Sequence, residues 1–139
     1  MVVCHERLWG VVRVKIATLA DATVAGYAAQ RMALESGGGR IAARELAIIV
    51  VELATNQVRH AGGGVIELET AGSEIVVCAT DEGPGIADLD RSRLDHVSAS
   101  PASLGCGLGA IYRLSDSVHI SNRLGGGLMV RCTKRARAA

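Results

Sequence analysis

Residues 46–64 read Leu46-Ala47-Ile48-Ile49-Val50-Val51-Glu52-Leu53-Ala54-Thr55-Asn56-Gln57-Val58-Arg59-His60-Ala61-Gly62-Gly63-Gly64, and their period decides the fold. Leu46, Ile49 and Leu53, with Ala42 upstream, recur at helical spacing. That pattern predicts a helix from about Arg40 to Ala61, stopped by the three glycines. Glu52 and Asn56 stand one turn apart on a different face, which Arg59 and His60 extend. An Asn amide oxygen is a neutral, hard ligand suited to Mg²⁺, which keeps several waters and relies on substrate phosphates for other ligands. A carboxylate one turn away is placed to orient or deprotonate a hydroxyl beside such a metal. A Glu and an Asn are also what an ordinary exposed helix face carries, and on these residues alone that alternative stays open.

Outward from this helix the chain reads as a string of short elements. Upstream, Val12-Arg13-Val14-Lys15-Ile16 alternates with period two and predicts a strand with one solvated face. Asp21 stands where an N-cap would, opening an Ala-rich helix that ends at Gly37-Gly38-Gly39. Downstream, Ile66, Leu68 and Thr70 alternate with Glu67 and Glu69. After the Ala71-Gly72-Ser73 turn, Ile75-Val76-Val77-Cys78-Ala79 reads as a more buried strand. Residues 87–104 are polar and predict a mobile lid. A third helix is expected to start within Gly105-Cys106-Gly107-Leu108-Gly109. Val118-His119-Ile120 and Leu128-Met129-Val130-Arg131-Cys132 then form a closing hairpin. Helices on one face of a mainly antiparallel sheet give an α+β two-layer sandwich, and residues 1–139 form one domain.

Composition bounds the function. Hydrophobic residues make up 49% of the chain but aromatics only 2%, with no Phe, so Ala, Val, Ile and Leu must fill the core. A formal net charge of +1 gives no reason to expect nucleic acid or an anionic membrane as partner. The basic Lys134, Arg135 and Arg137 read as a solvated end. Cys4, Cys78, Cys106 and Cys132 make no metal-ligand pattern and predict reduced thiols, and with no signal peptide or membrane span the expectation is a cytoplasmic protein.

Two further segments carry chemistry. Asp81-Glu82-Gly83-Pro84-Gly85-Ile86 follows directly on the buried strand. Its carboxylate can accept from an exocyclic amine such as adenine's, and its glycines let backbone approach a flat ring. The same residues also suit a plain turn. Gly105-x-Gly107-Leu108-Gly109 allows backbone amides to converge on phosphate at a helix start. It is neither a Walker A loop nor a dinucleotide fingerprint.

In order, Glu52-x-x-x-Asn56, Asp81-x-Gly83-x-Gly85-Ile86 and Gly105-x-Gly107-Leu108-Gly109 resemble the N, G1 and G2 boxes of GHKL ATPases. Histidine kinases of that superfamily carry a long upstream dimerisation helix, and gyrase, Hsp90 and MutL carry further domains, for which this chain has no room. Glu52-Leu53-Ala54-x-Asn56 and Leu108-Gly109-Ala110-Ile111-x-Arg113-Leu114-x-Asp116 look most like the stressosome switch serine kinase (RsbT-type) and the related anti-sigma-factor kinases. The resemblance implies ATP and Mg²⁺ as cofactors, with Asn56 holding Mg²⁺ and Glu52 as general base. It implies Asp81 as the adenine acceptor with Gly83, Gly85 and Ile86 beside the base, and Gly105, Gly107, Leu108 and Gly109 around the phosphates. Arg59 and His60 are expected to reach phosphate from the helix face, or to be solvated. The implied substrate is a Ser or Thr of a STAS-domain antagonist protein, with a metal-dependent phosphatase or sigma factor downstream and a homodimer as a further expectation. The family's usual Gly-Thr near the last strand is Gly127-Leu128 here, and the lost hydroxyl removes about 1 kcal/mol if it made one ordinary hydrogen bond. Two other readings remain: a partner-switching module whose affinity nucleotide only modulates, and a domain that no longer binds ATP.

Overall fold

The computed structural model describes residues 5–8 in backbone only, and residues 10–86 and 108–136 with their side chains. The expected lid at 87–104 lies outside the described residues, as do Gly105, Cys106 and Gly107.

Helix α1 spans Leu19–Glu35 and opens on a reciprocal cap. Thr18 Oγ1 accepts from the Asp21 amide at 3.3 Å, and Asp21 Oδ2 accepts from the Thr18 amide at 2.9 Å. The sequence reading puts Asp21 at the N-cap. The structure corrects this: Thr18 is the cap and Asp21 sits at the third helical position, where its longer reach satisfies two amides rather than one. Its Oδ2 also accepts from Ala17 at 2.8 Å. The Ala17 and Thr18 amides hold the Asp21 carboxyl below 3.8, against the weaker opposing effect of burial. Because the folded value is the lower one, this stabilisation is complete above the unfolded pKa of about 3.9 and is lost as pH falls through the folded value. Urea midpoints of wild type and Asp21→Asn are therefore expected to differ near neutrality and converge below about pH 4. A gap undiminished in acid would mean that the carboxylate's charge is not what matters.

Helix α2 covers Arg40–Ala61, as its period predicts, and buries Leu46, Ile49, Val50 and Leu53. The strands are β1 (His5–Leu8), β2 (Val11–Ile16), β3 (Gly64–Ala71), β4 (Glu74–Thr80), β5 (Ser117–Asn122) and β6 (Leu128–Arg135). A short helix, α3 (Leu108–Leu114), precedes β5. The sheet runs β1-β2-β3-β4-β6-β5, and every neighbouring pair is antiparallel. Alternation along β2 buries Val12, Val14 and Ile16 and exposes Arg13 and Lys15. Together with Ile66, Leu68, Ile75 and Val77, these inward side chains share one core with Ala25, Ala29, Leu46 and Ile49 of the helices. The result is an α+β two-layer sandwich with the helices on one side. Each fully buried Leu or Ile contributes about 1.5–3 kcal/mol, so the core does not depend on aromatic residues.

Two features depart from expectation. Strand β1 is an edge strand with the sequence His5-Glu6-Arg7-Leu8, whose charges leave no alternating signal to read. Lys134 is not a solvated end. It lies in β6, its ammonium pairs with Glu45 of α2, and it donates to the Leu114 carbonyl at 2.7 Å. That carbonyl closes α3, so the charge also meets the negative end of a helix. Cys78 and Cys132 are free thiols, and burial pushes Cys132 up to about 11, which keeps it protonated. Among the described residues, no helix is long and apolar enough to cross a membrane.

Candidate functional site

The end of β4 leads into a loop that is held in shape from both sides. The Asp81 amide donates to the Leu128 carbonyl at 3.1 Å. In return, Asp81 Oδ1 accepts from the Leu128 amide at 3.1 Å and from the Gly83 amide at 2.9 Å. Arg123 Nη1 donates to the Asp81 carbonyl at 2.6 Å. The carboxylate is thereby fixed to the first residue of β6, and no described residue donates to its Oδ2. Two residues on, Gly83 packs against the last turn of α2. A Cβ there would lie 2.5 Å from Ala61 Cβ, so only glycine lets the loop come this close. Further along, Asn122 of β5 clasps Ile86 through two bonds of 2.9 Å, from the Ile86 amide to Oδ1 and from Nδ2 to the Ile86 carbonyl. Gly85, at φ +73°, passes beneath this clasp.

Between this loop and α2 lies a cavity of about 270 Å³. Helix α2 supplies Leu53, Asn56, Gln57, His60 and Ala61. The loop supplies Asp81, Pro84, Gly85 and Ile86, and the floor comes from Ala79, Leu108, Leu128 and Val130. Apolar walls with a few polar groups are the usual make-up of a small-molecule site, and this one falls just below the usual range of about 300–1,000 Å³. The described walls suit a base rather than a whole nucleotide.

The structure thus brings Asn56 and His60 together with Asp81, Gly85, Ile86 and Leu108 around one space. Asn56 is half-buried and His60 exposed at its rim. Gly83 shapes the loop without lining the cavity, and Gly109 is buried in α3. Arg59 is exposed and does not line the cavity. Glu52 is half-buried one turn before Asn56, and it lines a separate groove between α1 and α2 with Gln30, Arg44 and Ile48. Leu128 closes the cavity wall with an apolar side chain, at the position where the sequence lacks a hydroxyl.

Gln57 and Asn122 were missed by the sequence reading. Asn122 acts on a segment far away in the chain, and no local signal marks it. Gln57 directly follows Asn56, but the helix turns it toward the sheet. It is only 3% exposed, and its Nε2 donates to the carbonyls of Val65 at 3.1 Å and Thr80 at 3.0 Å. Its Oε1 is buried and has no partner among the described residues. An acceptor left this way costs about 1–3 kcal/mol.

A carboxylate oxygen and an amide oxygen to which no described residue donates, between apolar walls, fit a purine with an exocyclic amine. Asn56 on the same helix fits a Mg²⁺ carried by the phosphates of such a nucleotide. In sequence, residues 16–134 match the family described as the histidine kinase-like ATPase domain. No curated protein matches the chain.

Proposed function

The chain belongs to the histidine kinase-like ATPase domain family, and from that premise we propose that it is an ATP-dependent serine/threonine protein kinase acting on a STAS-domain antagonist protein in a bacterial partner-switching pathway. The family match supports ATP binding, with Mg²⁺ as the usual companion. The single observation that carries the proposal is the cavity that Asn56 of α2 and the fixed Asp81 line together.

Each residue then has a defined task. Asp81 Oδ2 accepts from the purine amine, while Oδ1 stays committed to backbone. Ile86, Leu128 and Val130 cover the ring and keep water away. Asn56 offers its amide oxygen to the metal at the phosphate end. Glu52, one turn further from the base, takes the proton from the attacking serine or threonine hydroxyl. Bound MgATP supplies the transferable phosphoryl group and the metal charge that offsets its negative oxygens. Little covalent work is left for the protein beyond positioning and this one proton.

A second reading, a binding module whose partner affinity nucleotide only modulates, is favoured by one observation. Glu52 lines the α1–α2 groove rather than the cavity. The two readings separate in one assay: transfer from labelled ATP to the STAS-domain protein encoded nearest this chain. For the kinase, Glu52→Gln is expected to lower the transfer rate about 10²–10⁴-fold, the usual worth of a general base, with ATP affinity kept. No transfer by wild type, with tight partner binding by both proteins, decides for the binding module.

A further inference from the structure

We propose that Gln57 discriminates between purines: its Oε1 is the second acceptor, beside Asp81, for the exocyclic amine of the bound base. The inference rests on the nucleotide-binding reading above and adds to it a residue and a specificity. An exocyclic amine has two hydrogens to place. Asp81 can take only one, because its Oδ1 is spent on the amides of Gly83 and Leu128. The facing wall from β6, Leu128 and Val130, brings no polar side chain.

Gln57 lines the same cavity, and its orientation is fixed by chemistry rather than chosen. Its carboxamide nitrogen faces two carbonyls, Val65 and Thr80, which are cross-strand partners on β3 and β4. Carbonyls accept only, so the NH₂ must stay on that side. The oxygen is therefore turned away from those carbonyls, buried and without a partner among the described residues. Room for the group comes from Gly64, where a Cβ would lie 2.6 Å from Gln57 Cδ. The oxygen is closed to solvent as the chain stands, so a donor on the base satisfies it once the side chain shifts to open it to the cavity. A base with an oxo group at the same position presents a third acceptor to two acceptors and is rejected.

The test compares ATP with inosine triphosphate, which carries that oxo group, by calorimetric titration of the full chain. Wild type is expected to prefer ATP. Gln57→Met, near in shape but without the acceptor, should bind ATP about tenfold more weakly and inosine triphosphate within about twofold of wild type, narrowing the preference about tenfold. Equal losses for both nucleotides would assign Gln57 a purely structural role and overturn the proposal, as would unchanged ATP affinity. If the variant does not fold, the wild type decides. The ¹³C resonance of the Gln57 side-chain carbonyl should move with ATP and not with inosine triphosphate, and a resonance unmoved by ATP overturns the proposal. Wild type that binds neither nucleotide removes the nucleotide-binding reading itself, and the assignment of Gln57 with it.

Discussion

Asn56→Ala is expected to abolish Mg²⁺-dependent ATP binding while the protein remains folded. The side chain lines the cavity and is only half-buried, so its loss opens no hole in the core. The buried face of α2 is carried by Leu46, Ile49, Val50 and Leu53 instead. Mg²⁺ accepts few protein ligands and holds the rest of its sphere in water and phosphate, so losing one protein oxygen removes most of what the chain contributes. Outer-shell partners of metals are worth about 10–100-fold in affinity, and a direct ligand should exceed that. Titration with and without Mg²⁺ checks this, alongside a urea midpoint within about 0.5 kcal/mol of wild type. Undiminished ATP affinity with Mg²⁺ present would remove Asn56 from the metal's ligands.

The second large effect is on stability. Gly127 has φ +105°, and a Cβ on it would fall onto the Asp81 carbonyl oxygen. Gly125 in the same turn also has a positive φ, +86°, but a Cβ there meets nothing within 4 Å. Gly125→Ala is expected to cost about 1–2 kcal/mol, the backbone penalty alone. Gly127→Ala adds a backbone clash and should cost more than about 3 kcal/mol. ATP binding should be lost as well, because the atom struck belongs to Asp81, the residue proposed to hold the base. Equal losses in the two variants, read from urea titrations, would show that the turn relaxes and that Asp81 is not held as described.

The extent to which this site was legible follows from how far each signal travels along the chain. Asn56, Asp81 and Gly85 stand in local patterns: a helical period, a strand followed by a turn, a glycine where the chain must bend. Such patterns are visible residue by residue. The start of α1 was legible only in part: the sequence reading puts Asp21 at its cap and passes over Thr18, and which residue caps depends on which amides the folded backbone leaves unpaired. Gln57 was hidden by its neighbours. Adjacent helical residues point in directions about 100° apart, and nothing in the sequence says that the sheet's carbonyls await this one. Asn122 was out of reach altogether, because its partner Ile86 lies 36 residues away. The edge strand β1 was missed for the opposite reason: an exposed edge tolerates charge, so its sequence carries no pattern to find.

The position of β6 has a consequence for how the molecule comes into being. The last described strand, β6, is an inner strand of the sheet, between β4 and β5, and it carries Leu128, whose amide and carbonyl hold Asp81 from 47 residues away. Helices α1 and α2 are neighbours in sequence and can pair early, whereas closing this long-range contact is slow. During synthesis, chain emerging from the ribosome before residue 128 has helices and the first strands but no wall for the cavity. A ligand of this cavity can therefore be held only once β6 has been made and inserted, so the order of synthesis sets when the site first exists.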